Sequence, residues 1–252
     1  MSTLPIARVS SDVWLLLPVA RPKTALQRLE RWADMGFKIA VYMDAEHGEH
    51  SCVSAAFTGL YAGYYQAVHV LKTKLYSYLQ TRCWLPPAAI VYAGDDMEPD
   101  PHKGAQVQLQ EYMSRYPNLD GIMQATGDRW NIDVTGRSAS ERICGSPMVG
   151  AGWYSRICWG GDSMPYTAFP TCYYHFFGDE ELHDVASGYG LLYQNQTITH
   201  KHNHWSRYVG KREQHHERAQ QHWAKDQQTY QQRRTSRVAV VHDQTHRYEV
   251  ES

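Results

Sequence analysis

The sequence lacks long apolar segments, a strong excess of charge of either sign, and cysteine pairs. Its 252 residues carry a formal net charge of −1, so binding to nucleic acid would need a local basic patch. The apolar run VWLLLPV near the N-terminus is too short to cross a bilayer, and no basic region with a long apolar core marks a signal peptide. We therefore expect a soluble protein with no membrane partner.

Cysteine is scarce and unpaired in the sequence. There are five cysteines, an odd number, and none forms a C-x-x-C pair: Cys52, Cys83, Cys144, Cys158 and Cys172. This pattern fits neither a disulfide scaffold nor a cysteine zinc site. We expect reduced thiols and a cytoplasmic location.

Three common site motifs are also missing. The sequence has no G-x-x-x-x-G-K-[ST] loop, no G-x-S-x-G elbow and no G-x-G-x-x-G fingerprint. The composition, 42% apolar and 20% charged, is that of a globular protein with one large domain or two small ones. Tyrosine (18), histidine (14) and tryptophan (8) are plentiful.

Up to residue 125, apolar runs alternate with amphipathic stretches. DVWLLLPVARP and KIAVYMDAE read as strands that flank the helix KTALQRLERWADMGF, and such a βαβ unit implies parallel strands. A helical region over 53–82, the strand AAIVYAGDD, a helix from KGAQ and the strand LDGIMQAT continue the alternation. The sequence predicts an α/β fold with a Rossmann-type, mostly parallel central sheet flanked by helices.

The second half is less regular. FFGDEELHDVASGYG predicts an acidic turn and a helix, LLYQNQTITHKHNHW a strand, and the polar, Gln-rich stretch 206–232 a helical tail. We predict one domain over 1–204, with a regular α/β half (1–125) and an irregular half (126–204). Residues 205–252 are predicted to form a basic C-terminal extension.

Acidic residues follow two predicted strands where these strands end. Asp44 closes one strand, and Asp95 and Asp96 open the segment GDDMEPDP after another. Ligands of doubly wound sheets bind beyond the carboxyl ends of the strands. The carboxylates of Asp95, Asp96 and Glu98 lie within four positions. They repel one another unless solvent, a basic side chain or a metal ion lies among them.

The segment THKHNHW carries alternating histidines, His200, His202 and His204. On one strand, all three would lie on the same face. A three-histidine set suits zinc, whereas imidazole combined with carboxylate suits Mn²⁺ or Mg²⁺ beside a phosphate. Three imidazoles on a solvent face are the alternative.

The acidic turn GDEE, residues 178–181, precedes a predicted helix. Acids at a helix N-terminus are favoured by the helix dipole, so simple capping is one interpretation. The other is that the turn supplies a general base.

Taken in order, PVARP, Asp44, GDDMEPDP, FFGDEE and ITHKH resemble the GT-A superfamily of nucleotide-sugar glycosyltransferases, particularly its family-2-like members, over residues 12–204. The resemblance implies an enzyme that is inverting and uses Mn²⁺ or Mg²⁺ with a UDP-sugar donor. It also implies that residues 1–125 form the nucleotide-sugar-binding half and residues 126–204 the acceptor and catalytic half. GDDMEPDP resembles the metal-binding DxD segment, but Gly94 stands where the first Asp often does.

The resemblance also implies roles for single residues. It gives metal binding to Asp96 and His200, with His202 as second choice, and the catalytic base to Glu180, with Asp179 beside it. It gives binding of the nucleotide-sugar to five residues: Pro18, Ala20, Arg21, Asp44 and Asp95.

The basic extension bears on the acceptor. Residues 205–237 hold eight Lys or Arg against three acids, a net charge of +5, with aromatic residues between them. Such a segment suits a phosphate backbone; a solvated helix with mixed charges is the alternative. The chain resembles small virus-encoded enzymes that glycosylate 5-hydroxymethylated pyrimidines in DNA, which predicts DNA as the acceptor.

Other functions stay open. The acceptor of a glycosyltransferase would alternatively be a saccharide or a protein. A zinc hydrolase built on the three histidines and a non-catalytic nucleic-acid-binding protein are alternatives of other classes.

Overall fold

The structure is a computed structural model. It describes residues 5–20, 22–43, 51–128, 145–160, 167–204, 214–236, 239–242 and 246–251. None of the described helices is both long and apolar enough to cross a membrane.

The first half alternates strands and helices. Its elements are β1 (Ile6–Val19), α1 (Pro22–Asp34), β2 (Lys38–Met43), β3 (Ala55–Thr58), α2 (Tyr64–Thr81), β4 (Pro87–Tyr92), β5 (Met97–Glu98), α3 (Ala105–Arg115) and β6 (Ile122–Ala125).

The second half has shorter elements. They are β7 (Pro147–Gly150), α4 (Trp153–Arg156), β8 (Ile157–Trp159), α5 (Gly178–Gly188), β9 (Leu192–Asn195), β10 (Lys201–His202), α6 (Gln214–Gln220), α7 (Trp223–Ser236), β11 (Ala239–Val241) and β12 (Arg247–Glu251).

The central sheet has eight strands, in the order β3-β2-β1-β4-β7-β6-β9, with β12 also paired to β1. Every pair is parallel except those that β7 makes with β4 and β6. The predicted α/β fold with a mostly parallel sheet is therefore confirmed. The carboxyl ends of β1, β4 and β6 lie at one edge of this sheet.

Both faces of the sheet are covered by helices. Along β1, Leu15 and Leu17 join the core under α1 and α3, whereas Trp14 and Leu16 join the core under α2. A strand buried on both faces needs apolar side chains at every position. This explains why VWLLLPV is uninterrupted.

Two predicted elements differ from the structure. The helical region expected over 53–82 begins with β3, because this Ala-rich stretch pairs with the free edge of β2 and the pairing overrides local propensity. The strand expected over 191–205 is divided into β9 and β10, which belong to different sheets.

The C-terminal extension is tied to the domain by strand pairing. Its helices α6 and α7 are followed by β11, which pairs with β8, and by β12, which lies parallel to β1. The predicted boundary at residue 204 stays a prediction.

Candidate functional site

A cavity lies beyond the carboxyl ends of β1 and β4. Pro18 and Ala20 line it from the end of β1, and Asp95 and Asp96 from the end of β4. Because these strands are parallel neighbours, their ends bring residues that are far apart in the sequence into contact. The backbone N–H of Ala20 donates to Oδ2 of Asp95 over 3.0 Å.

The three carboxylates after β4 have different partners, which explains why the cluster is tolerated. Glu98 accepts from Arg31 at 2.6 Å and from the Asn203 amide at 2.9 Å, away from the cavity. Asp95 accepts a hydrogen bond from the backbone N–H of Ala20. Asp96 has its Oδ2 3.4 Å from Nε2 of His202.

Gly94, which stands where the DxD pattern has its first acid, lies beside the Asp96 carboxylate. A Cβ at this position would lie 2.8 Å from Oδ1 of Asp96, closer than side-chain carbons approach. A side chain at position 94 would therefore require the Asp96 carboxylate to shift. Asp95 and Asp96 are only 6% and 7% exposed.

His202 reaches Asp96 through strand pairing. In the antiparallel pair of β5 and β10, His202 stands opposite Met97. Its backbone N–H donates to Asp128, an acid beyond the end of β6 that the sequence patterns did not indicate. The His202 and His204 rings are 5.2 Å apart, and both line the cavity.

His200 lies elsewhere. It is 2% exposed, its Nε2 is 3.0 Å from Oε1 of Gln108, and its ring packs edge-on against Trp32. The expectation that three histidines share one face is wrong, because β10 contains only Lys201 and His202. The predicted role of His200 in metal binding stays a prediction. Within the described ranges, no group of three or more His, Cys, Asp or Glu side chains is arranged to hold a metal ion.

The three acids at the start of α5 also diverge, because successive helical residues point about 100° apart. Asp179 lines the cavity. Glu180 is half-buried and is not among the lining residues. Glu181 is buried and binds the Tyr173 hydroxyl and the Arg233 guanidinium.

Two predicted residues, Arg21 and Asp44, lie outside the described residues. Their predicted contacts with the nucleotide stay predictions.

Sequence reasoning missed the aromatic side of the cavity. Tyr61, Tyr64 and Tyr65 come from the start of α2 and the residues just before it, and Phe169 and His175 from the segment before α5. Burial is the main cause that raises the pKa of Tyr61 and of Tyr64 above its usual value, so both phenols stay protonated. Their spacing in the sequence carries no signal, because only the tertiary fold joins these two segments.

The C-terminal helix α7 supports this aromatic side. The carboxylate of Asp226, 1% exposed, accepts the backbone N–H groups of Tyr174, His175 and Phe176 at 2.9–3.0 Å. Phe177 follows in a left-handed conformation (φ 69°) that strains a non-glycine residue. Its ring stacks on Tyr230 of α7, with centroids 5.3 Å apart.

Replacing Asp226 with alanine is expected to destabilise the protein by about 2–4 kcal/mol, because three backbone donors would be left without a charged acceptor. The free energy of unfolding in urea measures this change. Asp184→Ala is the matched control: it removes an exposed carboxylate that binds α7 through Tyr230, and should cost about 1 kcal/mol or less. Equal destabilisation of the two variants would contradict the stabilising role of the buried Asp226 carboxylate.

Comparison with known proteins adds little to this geometry. Neither a family profile nor a curated protein matches the chain. Among the solved structures that match is a glycosyltransferase involved in the glycosylation of the major capsid of PBCV-1, with 9% identity and a TM-score of 0.29 over 56% of this chain. The match covers 60% of that protein, which is less than two thirds of its length. A likeness this weak assigns no family.

Proposed function

We propose that this chain is a metal-dependent glycosyltransferase. It transfers a sugar from a nucleotide-sugar, most simply a UDP-sugar, to a hydroxyl group of a 5-hydroxymethylated pyrimidine in DNA. The observation that carries the proposal is the convergence of four side chains on one cavity at the carboxyl edge of the sheet: Asp95, Asp96, His202 and Asp179.

The donor side would be formed by Pro18, Ala20 and Asp95. Asp96 and His202 offer a carboxylate oxygen and an imidazole nitrogen 3.4 Å apart, a donor set that suits Mn²⁺ and leaves the remaining positions to phosphate oxygens and water. These two side chains would hold the ion, and when bound it neutralises the charge of the diphosphate.

Asp179 would act as the base. Its carboxylate accepts the proton of the acceptor hydroxyl while the hydroxyl oxygen bonds to the anomeric carbon. The bond from that carbon to the diphosphate oxygen breaks at the same time, and the nucleoside diphosphate leaves with the electron pair. This single displacement inverts the anomeric configuration. Glu180, which the resemblance favours as the base, is the alternative.

A donor screen tests the proposal. UDP- and GDP-sugars are incubated with the protein and Mn²⁺, and release of nucleoside diphosphate and binding of the donor are measured. Metal-dependent release from one donor supports a glycosyltransferase. If no donor binds or turns over, the proposed function fails. If activity is complete in excess EDTA, only the metal requirement fails.

The hypothesis that DNA is the acceptor depends on the exposed basic side chains of α6 and α7. Arg233 is not one of them, because it is 8% exposed and paired with Glu181 at 2.9 Å. Arg218, Lys225 and Arg234 are exposed. Arg234 has an exposed partner, Asp184, at 3.5 Å, a weak pair that a phosphate would replace.

We expect affinity for hydroxymethylated DNA to fall steeply with salt. Neutralising Arg218, Lys225 and Arg234 together should flatten the log–log slope by roughly 0.7–0.9 for each phosphate that the variant no longer binds. Fluorescence anisotropy with a labelled oligonucleotide over a salt series measures the slope. Lys74→Gln, an exposed lysine of α2, is the control and should leave it unchanged.

Two results would redirect the acceptor hypothesis. A salt-independent affinity, or preferred transfer to free saccharides or proteins, would end the DNA assignment and leave the glycosyltransferase standing. DNA binding in a protein that turns over no nucleotide-sugar, and that Asp96→Ala leaves unaffected, would instead favour a non-catalytic binding protein.

A further inference from the structure

Tyr65 and Asp179 form a reciprocal contact at the edge of the cavity. The Tyr65 hydroxyl donates to Oδ1 of Asp179 over 2.9 Å and accepts the backbone N–H of Asp179 over 3.1 Å. Tyr65 is 3% exposed and lies in the first turn of α2. One hydroxyl therefore fixes both the start of α5 and one oxygen of its first carboxylate.

The contact leaves the other oxygen unused. Within the part of the chain that the structure describes, Oδ2 of Asp179 makes no hydrogen bond, while Asp179 lines the cavity. A carboxylate held through one oxygen keeps the second available to accept a proton in a fixed direction.

Gly178 makes this approach possible. A Cβ on Gly178 would lie 2.6 Å from the ring of Tyr65, so any side chain there would push the phenol away from α5. The absence of a side chain at Gly178 therefore lets the Tyr65 ring reach Asp179, the next residue of α5.

The phenol is also in the correct protonation state. Burial, and then the charge of Asp179, raise the pKa of Tyr65 well above its usual value. The hydroxyl keeps its proton at every pH at which the enzyme would work, and so remains a donor to the carboxylate.

We propose that Tyr65 is a positioning residue that orients the Asp179 carboxylate toward the acceptor hydroxyl. This assignment rests on the proposed function, in which Asp179 is the base. Without the phenol, the carboxylate would rotate about its side-chain torsions and present either oxygen in a range of directions.

A matched pair of variants tests the assignment. Tyr65→Phe removes the hydroxyl bound to Asp179, and Tyr173→Phe removes the hydroxyl that donates to Glu181, two positions along the same helix. The readout is release of nucleoside diphosphate from the UDP-sugar that the wild type turns over, with Mn²⁺ and water as acceptor. Tyr65→Phe should lower kcat by about 10–100-fold and change the donor KM by no more than about twofold.

Tyr173→Phe should keep kcat within about threefold of the wild type. The double variant Tyr65→Phe/Asp179→Asn should be no slower than Asp179→Asn alone, because Tyr65 acts through that carboxylate. A purely structural role of Tyr65 would instead add its effect to that of Asp179→Asn.

Each other result has a defined meaning. Equal reductions of kcat in Tyr65→Phe and Tyr173→Phe, an additive double variant, or a Tyr65→Phe variant with normal kcat would overturn the positioning role while the proposed function stands. A wild type that turns over no nucleotide-sugar would overturn the proposed function, and the assignment of Tyr65 with it.

Discussion

Asp96→Ala is expected to reduce nucleotide-sugar turnover by roughly 10³-fold or more. Metal stabilisation of a leaving diphosphate is worth several kcal/mol, and each ~1.36 kcal/mol is a factor of ten in rate. The Asp96 carboxylate is the one of the cluster that lies near His202 inside the cavity. The fold should persist, because the Asp96 carbonyl that accepts the Asn203 N–H is kept.

Steady-state release of nucleoside diphosphate over a range of Mn²⁺ concentrations measures the effect, and circular dichroism confirms the fold. Glu98→Gln is the control, because this acid lies two positions away and binds Arg31 and Asn203 instead of facing the cavity. It should retain nearly normal turnover. Undiminished activity of Asp96→Ala would refute the metal site.

Asp179→Asn is expected to lower transfer by about 10²–10⁴-fold while donor binding is largely kept. Asparagine keeps the shape of the carboxylate, and its oxygen still accepts from Tyr65, but it cannot take up a proton. Glu180→Gln should retain activity within a few-fold, because Glu180 does not line the cavity.

Comparing kcat with the donor Kd in the two variants separates the two candidate bases. If Glu180→Gln loses activity and Asp179→Asn does not, the assignment from the family resemblance is right and that from the cavity is wrong. If neither loses activity, neither acid is the base, a result that points to a retaining mechanism with no such base.

The sequence by itself determined the α/β class and the edge of the sheet where the acids gather. Strand and helix follow from hydrophobic periodicity, which is local, and the carboxyl ends of parallel strands share one edge in this fold class. The position of Asp95 and Asp96 at the carboxyl edge of the sheet could therefore be predicted. The sequence also indicated that the acid cluster needed positive or polar partners, although it did not name them.

Only the tertiary structure decided which of several adjacent candidates lies in the cavity. The turn of about 100° between helical neighbours separates Asp179 from Glu180, and the pairing of β5 with β10 brings His202, not His200, beside Asp96. Tyr65 meets Asp179 across 114 positions of sequence. Such contacts depend on how whole elements pack, and no local spacing records that packing.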